Sequence, residues 1–230
     1  MSAGCAVPPG QGYFITGTDT GVGKTLVACA LLRALAARGA RVVGMKPVAA
    51  GSEDGKFRDV ESLVAAGNVA APREWVNPYA FEPPVAPHLT ADRTGVRIEL
   101  PVILAAYRML RTVAERVVVE GAGGFRVPLN EGEDMADLAR VLGLPVILVV
   151  GLRLGCLNHA LLTAGAVRDS GLRLAGWVAN AIDPGMLETD GNVATLEARL
   201  GCPLLARLPA LDPPHAAAAA RFLRHDLLSG

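Results

Sequence analysis

The sequence has no surplus of charge of either sign: Lys plus Arg is 22 and Asp plus Glu is 22, a formal net charge of zero. Nucleic acids and anionic membrane surfaces are held by concentrated positive charge, so the balance argues against both as partners. Long hydrophobic runs are also missing, although the mean hydropathy is +0.36. The longest strongly apolar stretch, 144–152, contains Pro145 and stops at Arg153, about half the roughly 20 residues a helix needs to cross a bilayer. Residues 1–11 hold no Lys or Arg and no apolar core, so no secretory signal is expected there, only a flexible N-terminal segment. Cysteine is scarce: Cys5, Cys29, Cys156 and Cys202 lie far apart with no CxxC pair, which suggests neither a zinc site nor a disulfide framework. There is no internal repeat. At 51% hydrophobic and 19% charged over 230 residues, the chain falls outside the disordered regime and suits one well-buried, cytoplasmic domain spanning 1–230.

Short runs rich in Val and Ile, bounded by Gly or Pro, read as buried parallel strands at 13–16, 41–46, 116–120, 145–151, 174–180 and 203–208. Helical spacing separates them at 25–38, 100–115, 134–142, 158–169 and 188–200. In the first, Leu26, Ala30, Leu31, Ala34 and Leu35 share one face and Gly39 follows as a C-cap. The run Ala216 to Ala220 reads as the interior of a terminal helix. Strand and helix in alternation predict an α/β fold with a mainly parallel β-sheet flanked by helices. Residues 69–94 break the rhythm, with five prolines and no clear period; a loop of that length inside a compact domain is usually functional.

After the first strand comes GTDTGVGKT at 17–25 and then a helix, the setting a phosphate-binding loop requires. Amides around Gly21, Val22 and Gly23 and the helix N-terminus converge on anionic oxygens. Lys24 adds a point charge for the β- and γ-phosphates, and the Thr25 hydroxyl is placed to ligate Mg²⁺. Thr18 stands where the usual pattern has its first Gly. The strand VVVE at 117–120 ends in Glu120 and a turn, Gly121, Ala122, Gly123. Ligands of open α/β sheets sit beyond the carboxyl ends of strands, which brings Glu120 near the phosphate loop. Lys46 occupies the same end of the second strand, with Pro47 fixing the turn after it. Asp59 opens a helix, either as its N-cap or as a site carboxylate. Asn180 ends the fifth strand, and Pro209, Ala210 and Leu211 follow the sixth.

With these residues in view, the sequence resembles dethiobiotin synthetases from about Tyr13 to about Leu211. GTDTGVGKT at 17–25, MKPVAAG at 45–51, VNPYAFEPPVAPH at 76–88, VVVEGAGG at 117–124, LPVILVVGLRLGCLNHALLT at 144–163 and LAGWVANAI at 174–182 carry the resemblance. It implies a P-loop NTPase-like three-layer sandwich and an ATP-dependent cyclo-ligase. The substrates implied are 7,8-diaminononanoate, CO₂ and ATP, and the products dethiobiotin, ADP and phosphate. A carbamate forms on one amine, ATP phosphorylates it, and the second amine closes the cyclic urea. By similarity Lys46 and Lys24 are catalytic, while Thr25, Asp59 and Glu120 hold Mg²⁺. Residues 21–25, Asp59, 120–123, Asn180, Ala181 and 209–211 line the ATP site. Thr20, Ala50 and the segment Gly155, Cys156, Leu157, Asn158 contact the diamine, its carboxylate meeting backbone amides. In the family that last segment comes from the other subunit, which implies a homodimer with active sites at the subunit interface.

The chain departs from the family at Ala49 and Ala50, where Ser or Thr is frequent, at Ala86 for a frequent Ser, and at Gly21 for an occasional Glu. Ser52 or a water is then the alternative partner for the substrate amine. Glu61 is the alternative to Asp59 as metal carboxylate, since the loop before them varies in length. His88 and His159 read as structural residues. A switch ATPase of the ParA/MinD type is the alternative function; Asp19, where those proteins carry a signature Lys, and the lack of a basic amphipathic C-terminal helix speak against it. An amidoligase of the cobyrinate type needs a further domain for which 230 residues leave little room.

Overall fold

A computed structural model describes residues 12–211, 213 and 215–224. The N-terminal segment 1–11, expected to be flexible, lies outside the described residues. Six strands form one parallel sheet: β1 (Gly12–Gly17), β2 (Val42–Met45), β5 (Arg116–Glu120), β6 (Val146–Leu152), β7 (Leu174–Ala181) and β8 (Leu204–Leu208). Their order is β2-β5-β1-β6-β7-β8, with every neighbouring pair parallel. Two short strands, β3 (Val48–Ala50) and β4 (Tyr79–Phe81), pair in parallel as a separate ribbon.

Alternate residues of each central strand feed opposite faces, as the period of two requires. Phe14, Val117, Val119, Leu148, Val150 and Trp177 pack on one face, while Tyr13, Ile15, Val118, Ile147, Val149 and Val178 pack on the other. The first face is covered by α5 (Leu100–Val113), α6 (Met135–Leu142), α7 (Cys156–Asp169) and α8 (Thr189–Leu200). The second is covered by α1 (Lys24–Ala37), α9 (Ala216–Ala220) and residues Leu63 and Ala66 of α2 (Arg58–Ala66). Helices on both faces of a parallel sheet make the expected three layers. No helix among the described residues is long and apolar enough to cross a membrane.

Two expectations change. Residues 69–94 are not one irregular loop: they hold α3 (Arg73–Val76), β4 and α4 (Pro87–Thr94). These elements are too short to print a period, and their prolines mark starts, with Pro72 capping α3 and Pro87 opening α4. The helix expected at 158–169 starts two residues earlier, at Cys156, because Gly155 adopts the left-handed backbone (φ 94°) and caps it. α6 begins with a capping box in which Asp134 accepts from the amides of Ala136 and Asp137.

One glycine controls where α2 can lie. A Cβ on Gly44 of β2 would stand 2.8 Å from the Leu63 Cβ of α2 and 3.0 Å from Leu32 Cδ1 of α1. Overpacking of this kind costs about 1–3 kcal/mol. Gly44→Ala should therefore lower the urea midpoint of unfolding and displace α2; an unchanged midpoint would show that both helices yield without strain.

Candidate functional site

The carboxyl ends of β1, β2 and β5 bring four side chains together. Register does most of this. Met45 pairs with Val119 and Ile15 with Glu120, so Lys46, the residue after β2, emerges beside Glu120 at the end of β5. The Lys46 ammonium donates to Glu120 Oε1 at 2.6 Å and lies 3.0 Å from Asp59 Oδ2. The Thr25 hydroxyl, at the start of α1, stands 2.9 Å from both Asp59 Oδ1 and Glu120 Oε1. Lys46 and Glu120 are 4% and 1% exposed, so the pair is out of water and each partner depends on the other. Asp59 is the second residue of α2, whose N-cap is Phe57, so it does not cap the helix. Glu61 turns away, its Oε1 accepting from Arg73 at 2.8 Å on an exposed face.

Burial pushes the Lys46 ammonium down, but the charges of Glu120 and Asp59 outweigh it and leave its pKa raised. Burial also pushes Asp59 up, and there Lys46 and the Thr25 hydroxyl win, holding it lowered. Glu120 is raised, chiefly by burial and then by Asp59 against the pull of Lys46. Its second oxygen, Oε2, is buried without a hydrogen-bond partner. An orphaned carboxylate oxygen beside a second carboxylate and a hydroxyl is an all-oxygen donor set that fits a hard divalent cation sharing its remaining positions with phosphate.

The phosphate loop is shaped by positive φ at Gly21 (75°) and Gly23 (92°). Nothing lies within 4 Å of a Cβ built on Gly21, whereas one on Gly23 would meet Asn180 Nδ2 at 2.2 Å. That amide donates to the Val22 carbonyl at 2.9 Å, so buried Asn180 is tied to the loop. Lys24 Nζ spans the loop to the Asp19 carbonyl at 2.8 Å. The Asp19 carboxylate accepts from the Thr20 amide at 2.7 Å and pairs with Arg153, which joins this loop to the β6–α7 turn. Thr20 is exposed, its hydroxyl 3.7 Å from where a Cβ on Gly123 would be. Asn180 pairs in register with Leu208, so Ala181, the last residue of β7, lies beside the point where Pro209, Ala210 and Leu211 leave β8. Ala50 lies at the exposed end of β3, on the ribbon rather than the main sheet. At α7, Gly155 and Asn158 are exposed and Leu157 half-buried; the Cys156 amide already donates to Arg153 O at 3.0 Å. The other first-turn amides have no intrahelical carbonyl to reach.

The sequence reading missed Asn77, Arg153 and the Asn180–Val22 bond. Buried Asn77 donates to the carbonyls of Lys46 and Tyr79. A signal was present for the lysines: the chain has only three, Lys24, Lys46 and Lys56, and two of them meet here. Burial, and then the charge of Lys46, push Lys24 down to about 8. Phosphate oxygens favour the protonated form, so nucleotide affinity should fall as pH rises through about 8. Calorimetric titration on both sides of that pH checks this; an affinity that stays flat would remove Lys24 from the phosphates.

Among known proteins, the AAA domain family profile matches residues 11–217. The ATP-dependent dethiobiotin synthetase BioD of Nitrosospira multiformis is 62% identical over 200 residues, 87% of this chain and 88% of that protein. The BioD proteins of Janthinobacterium and Ralstonia nicotianae are 51% and 53% identical, over 94% and 90% of this chain and 94% and 92% of theirs. Among solved structures, MinD of Pyrococcus horikoshii with Mg-ADP superposes with a TM-score of 0.60 at 16% identity, covering 95% of this chain and 94% of that one. A ParA family ATPase of Chlorobium tepidum gives 0.56 at 13%, covering 91% and 89%. At such identities the MinD and ParA likeness bears on the fold alone. Half or more of the residues agree with BioD proteins along nearly their whole length: the chain belongs to the dethiobiotin synthetase family.

Proposed function

We propose that the chain is an ATP-dependent dethiobiotin synthetase, closing the ureido ring of 7,8-diaminononanoate with CO₂. The observation that carries this reading is the Lys46 ammonium, buried between Glu120 and Asp59 beside the phosphate loop. The chemistry brings two anions into contact, a carbamate and the γ-phosphate. A carbamate oxygen attacks the γ-phosphorus and ADP departs; the second amine then attacks the carbamoyl carbon, and phosphate leaves as the ring closes. Lys24 and Lys46 serve the first step by offsetting the charge of both anions at their point of approach. Loop amides around Gly21, Val22 and Gly23 fix the phosphates before reaction, so no solvent rearrangement is needed. Thr25, Asp59 and Glu120 would hold Mg²⁺, which would supply charge neutralisation at the transferring phosphate. Asn180, Ala181 and 209–211 form the adenine wall, supported by the register that sets β7 beside β8. Thr20 and Ala50 face the diamine, and first-turn amides of α7 receive its carboxylate.

The active unit is a homodimer in the cytoplasm, with each chain one folding unit. Support for the dimer is exposed apolar surface around α7: Leu162 on the helix is 65% exposed, and Leu154 in the turn just before it is 96% exposed. Sedimentation should give a dimer, converted to monomer by Leu162→Glu; a wild-type monomer would overturn the shared site.

ADP release should require both the diamine and bicarbonate, with dethiobiotin identified by mass. Vigorous ATP hydrolysis without diamine would sink the synthetase reading. In the same assay Lys46→Ala should abolish turnover while nucleotide still binds, and retained turnover would remove Lys46 from catalysis.

A further inference from the structure

Lys46 stands where the regular sheet has ended. β2 stops at Met45 and β3 starts at Val48, so Lys46 and Pro47 bridge two different sheets. The backbone there is held from one side. The Lys46 amide donates to the Val76 carbonyl at 2.8 Å, and the Tyr79 amide donates to the Pro47 carbonyl at 3.1 Å. The Lys46 carbonyl is taken by a side chain, Asn77 Nδ2, at 2.7 Å, and the same nitrogen donates to the Tyr79 carbonyl at 2.9 Å. Asn77 and Lys46 are 6% and 4% exposed, so the Lys46 carbonyl gains little from water. An orphaned backbone acceptor in such a place moves until it finds a donor.

Only a primary amide supplies two donors from one nitrogen at this reach. An ionised carboxylate offers none, a hydroxyl one, and leucine of similar shape none. Pro78 keeps Asn77 out of the helical backbone (φ −142°, ψ 83°), where its side chain reaches the Lys46 carbonyl. We propose that Asn77 is a positioning residue for Lys46: its amide pins the Lys46 carbonyl to β4 and thereby holds the ammonium against Glu120 and Asp59. This rests on the reading of Lys46 as the group that meets carbamate and phosphate. The Asn77 side-chain amide donates to two backbone carbonyls, those of Lys46 and Tyr79.

The test compares Asn77→Leu and Asn77→Ser with wild type and with Leu196→Ala, a buried α8 truncation that destabilises by leaving a cavity away from Lys46. A small misplacement of a reacting group can lower rate about 100-fold. Asn77→Leu should lose kcat on that scale with the KM for ATP near wild type. Asn77→Ser, with one donor restored, should fall between, and Leu196→Ala should keep wild-type kcat. Independently of activity, acetylation by an amine-reactive anhydride, read by peptide mass spectrometry, should rise severalfold at Lys46 alone. Lys24 and Lys56, the other two lysines, serve as internal references. A folded Asn77→Leu with wild-type kcat and wild-type Lys46 labelling overturns the proposal, as does a loss of kcat matched by an equal loss of nucleotide affinity. If Asn77→Leu does not fold, Asn77→Ser decides by the same two readings. A wild-type protein that makes no dethiobiotin defeats the functional reading, while Lys46 labelling still decides the role of Asn77.

Discussion

The contact on which the site depends is the buried ion pair of Lys46 with Glu120, closed by Asp59 and Thr25. The Glu120 carboxylate and the Lys46 ammonium are tolerable at this depth only together, because removing either leaves charge unpaired in low dielectric, while Asp59 reaches the same ammonium from a half-exposed position. The sheet exists in the arrangement that makes this possible. β5 lies between β2 and β1, so Glu120 has Lys46 on one side and the phosphate loop on the other. Gly44 lets α2 approach β2 closely enough for Asp59 to reach the same ammonium. The strand order, the small residue and the helix position, each held by apolar packing, together bring these charged groups within reach of one another.

A second constraint runs through the loop. Gly23 needs both its left-handed backbone and the space that Asn180 takes from any Cβ. Asn180 thus ties the end of β7 to the glycine loop through the Val22 carbonyl, so that β7 contributes to the shape of a loop that follows β1, two strand positions away. Arg153 makes a comparable link through Asp19. Links of this kind hold groups in place before substrate arrives, which is how positioning lowers a barrier without new contacts in the transition state.

Much of this was legible in the sequence where one local pattern carries the physics. The strand, glycine loop, GKT and helix placed Lys24 and Thr25, and six apolar runs foretold the six strands of the main sheet within a residue or two at most ends. Asp59 and Glu61 could not be told apart, because both lie in one helix and only its rotation aims one at Thr25 and the other at Arg73. Residues 69–94 looked featureless because elements of three to eight residues print no period. Asn77 was silent for a different reason: its partners are carbonyls, and any residue can supply a carbonyl.

The zero net charge conceals a deliberate local conflict. Of 22 cationic residues only three are lysines, and two of these are close enough that the charge of Lys46 helps push Lys24 down to about 8. In the free protein that repulsion is carried as a cost, moderated by Glu120 and Asp59. Anionic oxygens brought near both ammonium groups would relieve it. An interaction that grows as the reacting anions converge favours the transition state over either substrate bound alone. The balance of charge is therefore neutral over the chain and strongly polarised at one edge of the sheet, where the chemistry requires it.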